Sequence, residues 1–247
     1  MLLAIDTASQ VMGAALYDGN EVLAESEWHT PNYHSTQLAP LISQLFEWSS
    51  SSITDLQAVA IALGPGGFTG LRVGLALSKG ICLATHARIL GVPALHAIAV
   101  SQPLPPVKPA RLAAVLQAGR GRLAVGWYEA MDAPQPVLDT QALFKAWRCS
   151  QVRYEIITVQ QLMERINQEV QAKPETCGIT LVCGEINAAA RQYIFQQAKQ
   201  LPANSFYLAS AAHSQRRASF LAELAWHRLQ NGDVDDPASL APIYLQG

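Results

Sequence analysis

The sequence predicts an α/β protein of two lobes, each a mixed sheet with helices, and three observations carry that prediction. The first part of the chain runs strand, strand, strand, helix, strand, helix, strand, helix by its hydrophobic periods. The same order returns after the proline-rich "PLPPVKP" at 103–109. Between the fourth strand and the second helix, "IALGPGGFTGLRVGLALSKG", residues 61–80, stops an apolar run with glycines and a proline, then restarts as a small-residue helix.

Taken in order, "LLAID" is a short strand-type run. "VMGAALYDGNEVLAESEW" partly alternates apolar and polar residues around Asp18-Gly19-Asn20, which makes it a hairpin. Leu38, Leu41, Ile42, Leu45 and Phe46 recur at helical spacing and form one apolar stripe. Ser35 is the candidate N-cap; Pro40 lies deep for a first turn, so the regular helix is expected to start nearer Leu38. "LQAVAIAL" reads as a buried strand, residues 70–84 as a helix, "RILGV" as a strand, and "PALHAIAVS" as a short helix with Pro93 at its start. Three meander strands followed by βαβ crossovers give a mixed sheet.

The proline run shows neither period and marks the expected boundary, with an N-terminal lobe over 1–104 and a C-terminal lobe over 105–247. Beyond it, "RLAAVLQAGRGRLAVGWYEA" is a second hairpin turning near Ala118-Gly119-Arg120-Gly121, and "RYEIIT" a third strand. Thr158 and Gln161 form a capping box ahead of "VQQLMERINQEV". "GITLVCG" is a strand, "EINAAARQYIFQQAKQ" a helix and "SFYLAS" a short strand. A last helix over 214–230 ends at Asn231-Gly232 and could pack back on the N-terminal lobe. The repeated order implies a duplicated unit with a cleft between the copies.

At 247 residues, 50% of them apolar and 15% charged, the chain is globular and has apolar area to spare for partners. A net charge of −2 gives no bulk attraction to nucleic acid or to an anionic membrane, so RNA contact requires a local patch or another subunit. Arg216, Arg217 and Arg228 on the last helix, and Arg120 and Arg122 at the second hairpin, read as solvated faces as readily as RNA contacts. Cys82, Cys149, Cys177 and Cys183 lack a C-x-x-C pair, which favours buried thiols over zinc. The opening "MLLAIDTAS" has no basic n-region, and no apolar run reaches the ~20 residues of a membrane span, so a cytoplasmic location is expected.

A glycine-rich turn between strand and helix aims backbone N–H groups at whatever lies in front, which suits phosphate. Yet Thr69 stands where the dinucleotide fingerprint wants glycine, and Leu71-Arg72 follows Gly70 where a P-loop wants Lys and a hydroxyl. Gly66 and Gly67 are expected to serve a positive-φ turn, and Gly74 and Gly80 to allow close helix packing. Asp6 with Thr7 and Ser9 at a strand end could hold Mg²⁺ and phosphate, or Asp6 could simply cap a turn. Asp6, Thr7, Gly66, Gly67 and Thr69 are thus the candidate phosphate set. The inner strands carry no further carboxylates for two-metal chemistry, and no G-x-S-x-G elbow appears. His29, His34, His86, His96, His213 and His227 are spaced for no metal site.

"LLAIDTA", "HSTQLAPLI" at 34–42, "LGPGGFTGLRVGLALSKGI" at 63–81 and "GVPALHAIA" together resemble the TsaB (YeaZ) family, bacterial subunits of the machinery that makes N6-threonylcarbamoyladenosine in tRNA. The second half departs from the family pattern, with Gln117-Ala118-Gly119-Arg120 where Asp-Ala-Arg is usual and Gln246 where an Arg is common. The resemblance implies an actin-like ATPase (ASKHA, ribonuclease H-like) fold. It also implies a non-catalytic subunit without cofactor, bound to the catalytic subunit TsaD and served by the ATPase TsaE, meeting tRNA only through the complex. A homodimer is implied when TsaD is absent. The rival readings are a free-standing ASKHA phosphotransferase and, last, a peptidase.

The second helix offers more small and apolar surface than one sheet face uses, so it and the helix before it could form a bundle with the equivalent pair of a second molecule. The candidate partner-binding residues are His34, Ser35, Leu38, Leu41, Ile42 and Leu45 on the first helix, and Arg72, Gly74, Leu75, Leu77 and Ser78 on the second. The alternative is that the chain's own C-terminal helix covers the excess.

Overall fold

The computed structural model describes residues 1–30, 34–103, 110–130, 147–149, 154–172 and 178–245. The run at 104–109, Cys177 and Gln246 lie outside the described residues, as do the side chains of His34 and Cys149. The chain divides into two compact units, one of Met1–Ala97 with Arg216–Tyr244 and one chiefly of Ile98–Gln215. The division therefore falls within a helix after the fifth strand, and the C-terminal helix belongs to the first unit.

The first unit holds β1 (Leu2–Asp6), β2 (Val11–Tyr17), β3 (Val22–His29), α1 (His34–Trp48), β4 (Ala58–Ala62), α2 (Phe68–Thr85), β5 (Arg88–Val92) and the start of α3 (Ala94–Val100). Its sheet runs β3-β2-β1-β4-β5. The β1–β2 and β2–β3 pairs are antiparallel; β1–β4 and β4–β5 are parallel. Strand alternation sorts the residues. Leu3 and Ile5, Met12 and Leu16, and Val59 and Ile61 join the stripe of α1 in one core. The intervening residues on β1, β2 and β4 are mostly small: Ala4, Gly13, Ala15, Ala58 and Ala60. On that second face lies the C-terminal helix, which buries Ala218, Leu221, Ala222 and Ala225. Small residues on both partners let helix and sheet approach closely, and Tyr17 meets Trp226 edge-on at 5.8 Å.

Helix α1 starts at His34, a turn earlier than Pro40 suggests. Pro40 lies on the exposed side, where the carbonyl its ring leaves without a donor can be hydrated. Helix α2 ends where His86 turns left-handed at φ 58°.

The second unit holds β6 (Ala110–Gln117), β7 (Arg122–Ala130), β8 (Trp147–Cys149), β9 (Glu155–Thr158), α4 (Val159–Ala172), β10 (Ile179–Gly184), α5 (Ala188–Ala198) and β11 (Phe206–Leu208); α6 (Ala218–Gln230) returns to the first. Its sheet runs β11-β10-β6-β7-β8, with β9 also on β7. Reading β6 for β1, β7 for β2, β10 for β4 and β11 for β5 reproduces the order and directions of the first sheet. The place of β3 is shared by β8 on Tyr128–Ala130 and β9 on Arg122–Val125. The capping box forms as expected: Thr158 N donates to Gln161 Oε1 at 2.8 Å, and Gln161 N to Thr158 Oγ1 at 3.2 Å. Leu162, Met163, Ile166 and Val170 then pack onto the sheet. Each unit thus has a mixed sheet with the strand order and directions of a ribonuclease H-like sheet.

Among the described residues no helix is long and apolar enough to cross a membrane.

Candidate functional site

Strand β1 ends at Asp6, and the alternation of a strand decides what that end can hold. Asp6 faces the α6 side. Its Oδ1 accepts from Ala8 N at 2.9 Å and from the Arg216 guanidinium at 2.9 Å, with both side chains buried. Arg216 also donates to Ser9 Oγ at 2.9 Å and to the Val11 carbonyl at 2.7 Å. Removing one member of such a buried pair costs about 3–5 kcal/mol, since the other is left charged in a dry site. Thr7 faces the opposite side of the sheet, buried against Gly74 of α2. The carboxylate and hydroxyl that sequence places side by side therefore do not converge on one ligand.

The glycine loop crosses this strand end. A Cβ on Gly66 would run into the Ala8 carbonyl, and Gly67 N donates to that carbonyl at 2.7 Å. The positive φ expected at Gly66 and Gly67 belongs instead to Gly64, at 97°; Gly67 is the N-cap of α2 at φ −67°. Gly66 is needed for close approach. Thr69 is exposed on the first turn of α2. Among the described residues, no three of His, Cys, Asp and Glu meet in a metal-holding group. Burial pushes the Cys82 thiol up to about 11 and raises that of Cys183 as well.

Helices α1 and α2 present faces different from those the sequence suggested. Leu38, Leu41, Ile42 and Leu45 all lie in the core of the first unit, as does Leu75, while Leu77 is partly buried against it. Gly74 and Ser78 point at the sheet: a Cβ on Gly74 would overlap Thr7 Oγ1, and Ser78 Oγ donates to the Gly74 carbonyl at 2.8 Å. Ser35 is exposed at the start of α1. The small residues of α2 that serve its own lobe are therefore Gly70, Gly74 and Ser78, in the same register as buried Leu71, Leu75 and Cys82. The outer face carries Thr69, Arg72, Ala76, Gly80 and Leu83 at spacings of three and four, with Leu83 81% exposed and nothing within 4 Å of a Cβ on Gly80. Helix α6 lies on the other side of the sheet, so it does not cover this face. Beside it, α1 exposes Pro40 and Trp48.

The C-terminal tail borders the same helix. Asp235 N donates to the Ile89 carbonyl at 3.0 Å and its carboxylate accepts from Gly91 N at 2.7 Å, which covers the open edge of β5. Arg228 donates to the Gly91 carbonyl at 2.8 Å. Farther on, Lys79 Nζ donates to the Leu240 carbonyl at 2.9 Å, and Tyr244 reaches Phe68 with ring centroids 5.3 Å apart. Tyr244 carries no local signal in the sequence, and Arg216, which reads there as a solvated or RNA-facing arginine, is instead buried on Asp6; each meets its partner across more than 170 positions.

At the start of α6 two carboxylates of β3 meet the helix N-terminus. Glu25 accepts from Ser219 N at 2.7 Å and from Arg217 Nε at 3.0 Å; Glu27 accepts from Ala218 N at 3.0 Å. Burial works to raise Glu25, but its donors from Ser219 and Arg217 outweigh that and hold it low. Burial, a hydrogen bond with Glu25 and the charge of Glu25 push Glu27 up to about 7.

The chain matches the family model TsaD, tRNA N6-adenosine threonylcarbamoyltransferase, over residues 21–244. It is 35% identical over 98 residues to the tRNA threonylcarbamoyladenosine biosynthesis protein TsaB of Escherichia coli (strain K12), across 40% of this chain and 42% of that one. Against the protein of the same name from Bacillus subtilis (strain 168) it is 27% identical over 148 residues, across 59% and 63%. The matched stretch spans less than two thirds of either relative. YeaZ from Pseudomonas aeruginosa shares the fold, with a TM-score of 0.70 over 99% of both chains at 20% identity. A family model that runs from the first hairpin to the C-terminal tail makes this chain a member of the TsaD family, with stretches similar to TsaB proteins and a fold shared with YeaZ.

Proposed function

We propose that this chain is a non-catalytic, activating subunit in the synthesis of N6-threonylcarbamoyladenosine in tRNA, and that it works by binding a TsaD-like catalytic subunit through α2. The observation that carries the reading is the outer face of α2. Ala76, Gly80 and Leu83 form an exposed stripe of small and apolar residues on a helix whose other side is fully used by its own sheet. Burying Leu83 alone against a partner is worth about 1.5–3 kcal/mol, and small neighbours allow the close approach that helix packing requires. In the absence of TsaD the same face accounts for a homodimer; a TsaE-like ATPase and tRNA join through the complex.

The rival phosphotransferase reading asks Asp6 to hold a metal–nucleotide, and that carboxylate is already held by Arg216. A peptidase has no support in the contacts of the candidate residues.

The test is co-purification with the organism's TsaD-like subunit, followed by tRNA modification with and without this chain. Ala76→Arg places a charge on the exposed stripe without disturbing the core. It is expected to keep the fold, lose TsaD and lose modification. An Ala76→Arg protein that assembles and supports modification at the normal level removes α2 from the interface, and transfer by the purified chain alone removes the non-catalytic assignment.

A further inference from the structure

We infer that Arg72 is a pre-set receptor for a carboxylate on the protein surface that packs against α2. This deepens the reading of α2 as a partner-binding helix and rests on it. The guanidinium carbon of Arg72 lies 3.7 Å from the centroid of the Phe68 ring, and its Nε donates to the Tyr244 hydroxyl at 3.2 Å. Phe68 and Tyr244 themselves pack ring against ring, at 54% and 45% exposure. Stacking fixes the plane of the guanidinium, and the Nε bond fixes its rotation within that plane. The two terminal nitrogens, the pair that grips a carboxylate with two parallel bonds, have no partner among the described residues.

Other arginines show what this chain does when it has an acid to offer. Arg111, Arg165, Arg216, Arg217 and Arg228 each meet a carboxylate of their own chain. Arg72 is held by aromatic rings instead, and no Asp or Glu occurs anywhere between residues 56 and 128. A cation immobilised before its anion arrives loses little freedom on binding, which favours a specific, oriented contact over a diffuse one.

The surroundings favour a protein carboxylate over an RNA phosphate. Along α2 the surface continues as Ala76, Gly80 and Leu83, which packs against side chains and offers no track of cations for a phosphate backbone. The other cation of the helix, Lys79, is tied to the Leu240 carbonyl.

The experiment measures the affinity of the full-length chain for the TsaD-like subunit against salt concentration, for the wild type, Ala76→Arg, Arg72→Gln, Arg72→Lys and Tyr244→Phe, with thermal melting as the check on folding. Arg72→Gln is expected to weaken binding about tenfold or more and to flatten its salt dependence by removing the charge, and Arg72→Lys to weaken binding about tenfold while keeping the salt dependence, because a lysine retains the charge but cannot supply the two parallel bonds. Tyr244→Phe, which keeps the stack and loses only the Nε anchor, is expected to lose less. Wild-type affinity in both Arg72 variants, with Ala76→Arg defective, overturns the carboxylate receptor and leaves the helix as the interface. Full affinity in Arg72→Lys alone shows that a point charge suffices and overturns it too. If Arg72→Gln leaves TsaD binding intact but weakens tRNA binding by the assembled complex, the ligand is phosphate and the inference fails. Wild-type affinity in Ala76→Arg overturns the underlying reading of α2.

Discussion

Glu27 shows how one residue can make a lobe sensitive to pH. Its carboxyl is raised from the usual carboxylate range to about 7, first by burial and then by the hydrogen bond and charge of Glu25. Because the folded state holds this proton more tightly than the unfolded chain does, the resulting stability is fully present below the unfolded value near 4.5. It is lost as pH rises from there towards 7. Above that range Glu27 joins Glu25 in carrying charge near Arg217, while burial also raises the neighbouring Glu223. Chemical denaturation between pH 4.5 and 8 is expected to show a downward slope that Glu27→Gln flattens; an unchanged slope in the variant would assign the titration elsewhere. Nothing in "AESEW" announced this pairing. The strand period puts Glu25 and Glu27 on one face, but what caps them comes from residues 217–219, and only the folded chain brings those together.

At the scale of the element, α2 was easy to find and hard to orient. Its glycine loop, length and small-residue content are all local, and the helix forms over Phe68–Thr85 as the pattern of residues 61–80 implies. Which small residues face outward depends on Thr7, just past the end of β1, and Ile61 of β4, whose side chains come against Gly74. The contrast between its two glycines tests this assignment. Gly74→Ala is expected to cost about 1–3 kcal/mol, because its methyl group overlaps Thr7. Gly80→Ala is expected to stabilise the lone chain by up to about 1 kcal/mol through helix propensity, its Cβ meeting nothing. Equal shifts in the melting temperatures of the two variants would contradict the orientation. The same limit applies to α1, whose stripe was legible as one apolar face but whose burial in its own core was not. By contrast, the capping box of α4 depends on two residues three positions apart, and it was legible in full.

For the whole molecule, the duplicated strand order was readable because each strand and helix carries its own period. The ownership of the C-terminal segment was not, since Arg216–Tyr244 joins a unit that otherwise ends at Ala97. Without Arg216–Tyr244, the sheet of the first unit exposes the Ala4, Gly13 and Ala60 face to water, and Asp6 loses its cation. A chain stopped at Gln215 is expected to lose the first unit altogether, read as missing hydrogen-exchange protection over β1 and β4; native protection there would show that the helix is dispensable. This arrangement also sets a timetable at the ribosome. The residues that begin the first unit are made first, and the helix that closes it follows only after roughly 120 intervening residues. At about 5–20 residues per second that is a wait of roughly 6–24 s. In that interval the second unit can complete itself, while the older half of the protein stays open to chaperones and proteases. A newborn chain thus finishes its lobe of α2 only once α6 has been made, so a chain that stops short of it has no finished surface to offer a partner.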